Sequence, residues 1–191
     1  MRKSALATSI LFISFIIISI SCDRKPEKAA KYEKIRVVVS ILPQVEFLER
    51  IGGEKVEICL MVPTGESPTT YEPTPNQLAY ISKAEIYARV GPDFVFELAW
   101  MDRILSLNPS LRVLDCSEGI DRIPGDPHIW LSPKLTKRII ENLCQGLVKS
   151  DPENMDYYVS NRDNYLLELN QLDKNFTQAL ANRKNRKFLV Y

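Results

Sequence analysis

The sequence predicts an α/β fold: a parallel-sheet lobe with flanking helices, followed by one long α-helix and one further strand. Three observations predict it. Short runs rich in β-branched residues alternate with helix-patterned segments, which implies parallel strands joined by right-handed helical crossovers. From about Asn154 to Asn182 the chain keeps a helical apolar period with no Gly or Pro inside. The run Lys187-Phe188-Leu189-Val190-Tyr191 then reads as the start of a buried strand, and a lone terminal strand needs a sheet to join.

The elements follow in order. Ile35-Arg36-Val37-Val38-Val39-Ser40 is a β-branched run suited to a strand buried on both faces. Pro43 to Ile51 places Val45, Phe47, Leu48 and Ile51 on one helical face and stops at Gly52-Gly53. Lys55 to Val62 is the second strand. Thr74-Pro75-Asn76-Gln77 opens a helix: Thr74 caps it, Pro75 suits its first position, and Gln77 completes a capping box. Glu85 to Val90 is a third strand, Phe94 to Leu107 a helix ended by Asn108-Pro109, and Leu111 to Asp115 a fourth strand. Leu135 to Val148 is an amphipathic helix. Asp151-Pro152-Glu153 restarts the chain with a cap and a first-turn proline. In the long helix, Tyr158, Tyr165, Leu169, Leu172, Phe176 and Leu180 form one stripe facing a partner surface. That helix is about 40 Å long, more than one small lobe needs.

Composition narrows the function. The chain has 191 residues, 25 Lys+Arg against 24 Asp+Glu, 7 Gly and 1 His. A net charge of +1 leaves no footprint for nucleic acid. Neither G-x-G-x-x-G nor a P-loop occurs, so phosphate-cradling chemistry lacks its usual backbone. A single histidine and no recognisable nucleophile elbow leave no catalytic constellation, so the expectation is a protein that is not an enzyme.

The N-terminus reads as an address. Arg2 and Lys3 precede an apolar stretch from about Ala5 to Ile20, which is short for a membrane span and is followed by a charged run. Residues 1–21 are therefore expected to be a signal peptide. Ser19 and Ser21 precede Cys22, and a cysteine there resembles the lipobox of bacterial lipoproteins, although Ser19 stands where that pattern usually has Leu. Cys22 is the expected lipid attachment site. Residues 22–34, charged and carrying Pro26, are the expected flexible tether. Removing the leader leaves 23 basic and 24 acidic residues, so no polybasic patch adds to the membrane anchor. The expected location is the periplasm or the outer face of the membrane. Cys59, Cys116 and Cys144 are read as small buried hydrophobes; one disulfide among them stays open, since sequence does not assign it.

Three further blocks converge. Ser40-Ile41-Leu42-Pro43 follows the first strand, Pro63-Thr64-Gly65-Glu66-Ser67-Pro68-Thr69-Thr70-Tyr71-Glu72-Pro73-Thr74-Pro75 the second, and Asp126-Pro127-His128-Ile129-Trp130-Leu131-Ser132-Pro133 precedes the helical region. Behind a lipoprotein-like leader, these blocks resemble the zinc- and manganese-specific substrate-binding proteins of bacterial ABC uptake systems. The resemblance runs from about Ile35 to the end of the chain. It implies two α/β lobes joined by a rigid helix, with metal held in the cleft between them. It also implies two histidines from the N-terminal lobe, and a His or Glu plus a carboxylate from the other. The loaded protein would dock on a permease in the cytoplasmic membrane. On this reading residues 35–132 are the N-terminal lobe, 133–186 a helical region with the joining helix, and 187–191 the start of a truncated second lobe.

Two departures shape the expectation. Thr69 stands where the family's first histidine is found, and a neutral hydroxyl is a poor zinc ligand. The second lobe's two ligands are absent from these residues. His128 alone sits at a matched ligand position, with Asp126 as a candidate partner for its ring. The expected function is thus an extracytoplasmic zinc-binding (or manganese-binding) protein that delivers metal to a permease, truncated and impaired in binding. A second polypeptide could supply the missing lobe. The competing reading is a surface lipoprotein that has lost metal binding and serves as an interaction module. Glu72 is read as loop-shaping, Glu66 and Asp93 as nearby oxygen donors, Tyr71 and Trp130 as cleft-wall packing, and Glu168 and Lys174 as solvated helix face.

Overall fold

The computed structural model describes residues 33–183. The expected signal peptide, Cys22, most of the tether and the 187–191 strand lie outside the described residues. Four strands form one sheet: β1 (Ile35–Val39), β2 (Val56–Leu60), β3 (Ile86–Arg89) and β4 (Arg112–Asp115). Five helices surround them: α1 (Leu42–Gly52), α2 (Pro75–Ile81), α3 (Val95–Leu107), α4 (Pro133–Ser150) and α5 (Met155–Leu180). Short 3-10 turns at Gly53–Lys55, Ile129–Leu131 and Pro152–Asn154 complete the described structure.

The strand order is β2-β1-β3-β4, and every pairing is parallel. Val38 lies opposite Cys59 on one side and Tyr87 on the other. Strand alternation divides the core into two layers. Val37, Val39, Ile86 and Ala88 pack with Phe47 and Leu48 of α1, Ile140 and Leu143 of α4, and Tyr158 and Tyr165 of α5. Val38 and Tyr87 face the opposite way, onto Ile81 of α2 and Phe96 and Ile104 of α3. The sheet is therefore covered on both faces, which is why the central strand β1 carries the apolar run Val37-Val38-Val39.

Local chemistry sets the element ends. Gln77 N donates to Thr74 Oγ1 (3.3 Å) and Thr74 N donates to Gln77 Oε1 (2.8 Å), so the capping box forms as the sequence indicates. The Gln77 amide also donates to Leu60 O (2.7 Å) and Met61 O (2.8 Å), which staples α2 to the end of β2. Asp151 does not cap a backbone N–H. Its carboxylate accepts from Asn154 Nδ2 (2.6 Å) and Tyr158 Oη (2.7 Å) instead, because Tyr158 is buried and needs a partner.

The long helix is less uniform than its stripe. Tyr158, Tyr165 and Leu169 are buried against α1 and α4, whereas Leu172, Phe176 and Leu180 are exposed. Glu168 is also more than a solvated charge, since it pairs with Arg50 of α1, whose guanidinium lies 4.6 Å from the Tyr165 ring centre. Among the described residues no helix is long and apolar enough to cross a membrane.

Candidate metal site

The connection from β1 runs to β2 on one side, and the chain then crosses to β3 on the other. Loops leaving β1 and β3 diverge at such a point, and the crevice beyond the carboxyl ends is where open α/β sheets take ligands. All three sequence blocks emerge at this end: the turn after β1, the loop from Met61 to Thr74 after β2, and the loop from Cys116 to His128 after β4.

His128 lies at the entrance to the 3-10 turn Ile129–Leu131. A loop of 116–127 separates it from β4, so it does not follow a strand directly. Asp126 Oδ1 accepts from the His128 backbone N–H (3.0 Å) and stands 2.7 Å from its ring Nδ1. A carboxylate only accepts, so Nδ1 carries the hydrogen and Nε2 keeps its lone pair when the ring is neutral. The His128 backbone amide and then its ring hold the Asp126 carboxyl below its usual value. The His128 side chain is 57% exposed and its ring lies 5.1 Å from that of Trp130. Trp130 meets Phe94 edge-on at 6.5 Å.

The loop that carries His128 is pinned along its length. Asn142 Nδ2 of α4 donates to Cys116 O (3.1 Å) and Glu118 O (2.9 Å), and Arg138 Nε to Glu118 O (3.3 Å). Arg122 pairs with Asp93, which commits that carboxylate and removes it from the free oxygen donors. Thr69 is exposed, and its backbone N–H donates to Ser67 Oγ (3.4 Å). Glu66 and Glu72 are also exposed. Tyr71 and Trp130 are half-buried and pack on the α2–α3 layer of the core. Among the described residues, no three His, Cys, Asp or Glu side chains are gathered to hold a metal ion. The structure thus presents one oriented imidazole with no ligand triad gathered around it among the described residues. The cysteines Cys59, Cys116 and Cys144 are free. Burial raises each thiol pKa, so none is a ready thiolate ligand.

Two buried polar side chains stand beneath the site, and sequence reasoning missed both. Gln44 of α1 accepts from the amides of Ser40 (3.0 Å) and Ile41 (3.2 Å) through Oε1 and donates to Ala88 O (2.8 Å). Glu97 of α3 accepts from the Ser40 hydroxyl and from the amides of Val90 (2.6 Å) and Gly91 (3.2 Å). Burial pushes its carboxyl up to about 7, against the pull of those hydrogen bonds and of Arg89. The one legible signal was positional: Gln44 falls at the third residue of a helix, where a side chain reaches back to the turn before it.

Residues 37–191 match the family model for the zinc-uptake complex component A, periplasmic. The chain belongs to this zinc-uptake component A family. It is 26% identical over 209 residues to the high-affinity zinc uptake system protein ZnuA of Bacillus subtilis (strain 168), covering 95% of this chain and 63% of that protein. It is 30% identical over 148 residues to the manganese-binding lipoprotein MntA of Halalkalibacterium halodurans, covering 74% and 48%. A solved structure of a ZnuA deletion mutant with zinc bound superposes with a TM-score of 0.78 at 39% identity, over 83% of this chain and 63% of that one. The zinc-uptake component A family is one of transporter substrate-binding proteins and not of enzymes, as the sequence indicates. The chain spans about half to two thirds of the length of these relatives.

Proposed function

We propose that this chain is the metal-receiving lobe of an extracytoplasmic zinc- or manganese-binding protein that serves an ABC permease. The observation that carries the reading is His128, the one histidine of the sequence. It stands at the carboxyl end of the sheet on a pinned loop, exposed, with Asp126 holding Nδ1 and leaving Nε2 its lone pair. Family membership supplies the context. The relatives' names speak of zinc and of manganese alike. A neutral imidazole suits both the softer zinc and, with oxygen donors, manganese, so the cargo is stated as a divalent cation of that pair. Thr69 contributes a weak donor at best, and the other donors come from a second lobe, on a longer form of this chain or on a second polypeptide. Cys22 would hold the assembly at the membrane by its lipid.

Zinc titration of residues 23–191 tests this. A one-to-one isotherm that His128→Ala removes supports it. Zinc binding of equal strength in His128→Ala sinks it. The competing reading, an interaction module without cargo, is favoured by the exposed Leu172, Phe176 and Leu180 on α5. It expects self-association by sedimentation, and a monomer with live zinc binding excludes it.

A further inference from the structure

Glu97 is the only buried carboxylate among the described residues, with 2% of it exposed. It stands in the first turn of α3, yet its partners lie on the turns after β1 and β3. Ser40 Oγ, which touches Glu97 Oε1, also lies 2.8 Å from Tyr87 Oη. Because an ionised carboxylate only accepts, the hydroxyl chain then has one direction: Tyr87 donates to Ser40 and Ser40 to Glu97. A proton on Oε1 donates to Ser40 Oγ, and either the Ser40 or the Tyr87 hydroxyl proton then loses its acceptor. A proton on Oε2 instead faces the Gly91 N–H, 3.2 Å away, and displaces it. Either position disturbs what the ionised group holds.

A cation stands beside the cluster. Arg89 Nε lies 3.8 Å from Glu97 Oε2 and 4.0 Å from Asp115 Oδ2. It is a buried nitrogen with no hydrogen-bond partner. The guanidinium therefore sits between two carboxylates and is hydrogen-bonded through Nε to neither. The other titratable groups facing the cluster are Tyr87 on β3 and Cys116 after β4, and α1 presents only the neutral Gln44.

The cluster is connected to the candidate site by contact. Gly91 O accepts from Phe94 N (3.3 Å), Phe94 packs edge-on to Trp130, and Trp130 lies against His128. A side chain at Gly91 would come within 2.9 Å of Ser117 Oγ, so the turn after β3 backs onto the loop that carries His128.

We propose that Glu97 is a proton-operated clamp on this end of the sheet. Ionised, it holds the turns after β1 and β3 together and draws Arg89 toward itself; protonated, it loosens the Gly91 turn and yields Arg89 to Asp115. The consequence for metal capture rests on the proposed function, whereas the clamp itself does not.

The test is carboxyl-carbon NMR of the metal-free full chain labelled at glutamate, titrated across neutral pH. One resonance should titrate with a midpoint of about 7, be missing in Glu97→Gln and persist in His128→Ala. Tryptophan emission should follow the same midpoint, because Trp130 packs on Phe94, which is hydrogen-bonded to Gly91, and Trp100 stacks on Phe96, next to Glu97 in the chain. Tyr87→Phe should raise the midpoint, since the carboxylate loses the donor behind Ser40. If every glutamate carboxyl titrates near the ordinary 4.5, the proposal is overturned. It is equally overturned if the emission change is lost in His128→Ala and kept in Glu97→Gln. Zinc affinity compared at about pH 6 and about pH 8, on either side of this midpoint, then tests the link to cargo. Glu97→Gln should shrink the ratio of zinc affinities at the two pH values by roughly threefold or more. If no zinc binds at either pH, the proposed function fails while the carboxyl titration still decides the clamp.

Discussion

The imidazole of His128 owes its readiness to one neighbour. Asp126 fixes the ring by a backbone and a ring contact, so Nε2 is the nitrogen that keeps a lone pair in the neutral ring. Asp126→Asn should lower zinc affinity by roughly 10- to 100-fold in calorimetry while leaving the circular dichroism unchanged, because both side chains are exposed. Glu97 makes the opposite electrostatic case. Its carboxyl is raised from 4.5 to about 7 by burial, so the folded protein holds a proton that the unfolded chain has released between those values. Its contribution to stability is therefore greatest below the unfolded value and is lost as pH rises through the folded one. Urea unfolding should show the wild type losing up to about 3 kcal/mol more than Glu97→Gln between acid and mildly alkaline pH. Parallel slopes for the two proteins would contradict this. His128 was legible because its block, Asp126-Pro127-His128, has a recognisable spacing. Glu97 was not: in one dimension it is an ordinary acidic residue in the first turn of a helix, where such residues usually meet solvent. Its burial is decided by Val90, Gly91 and Ser40, which reach it only through the fold.

At the scale of elements, α5 divides into two halves. Leu169 is buried against the lobe and Leu172, one turn on, is exposed. Leu169→Ala should cost about 2–4 kcal/mol in chemical denaturation, and Leu172→Ala no more than about 0.5. Equal costs would mean that the distal half is covered as the proximal half is. The helix itself was legible from its period, but a period continues past the end of the surface it packs on, so the sequence did not mark the change. The end of α1 was legible in outline too, since Gly52-Gly53 read as a stop. The structure adds the reason that one of the pair must be glycine: Gly53 has φ 50°, a conformation L side chains rarely adopt, and a side chain there would also meet the Tyr157 hydroxyl of α5. Gly53→Ala should therefore destabilise by about 1–3 kcal/mol in thermal unfolding. The strands were the most legible elements, because β-branched runs buried on both faces carry their own signal.

For the molecule as a whole, the sheet order β2-β1-β3-β4 explains why three blocks far apart in sequence reach one end of the lobe. Parallel strands bring every following loop to the carboxyl edge, and the reversal of order between β1 and β3 opens the crevice there. Composition excluded phosphate and nucleic-acid chemistry, and the three blocks carried the family, which the match over residues 37–191 bears out. Coordination was beyond reach of the sequence because a metal site is a spatial set, and the described residues bring no three candidate ligands together. The central claim is that His128 is a live ligand. It is tested most directly by calorimetric titration of residues 23–191 with zinc, beside His128→Ala. With one ligand on this lobe, the account expects weak one-to-one binding that the substitution abolishes. Binding of equal strength and stoichiometry in both proteins would contradict it.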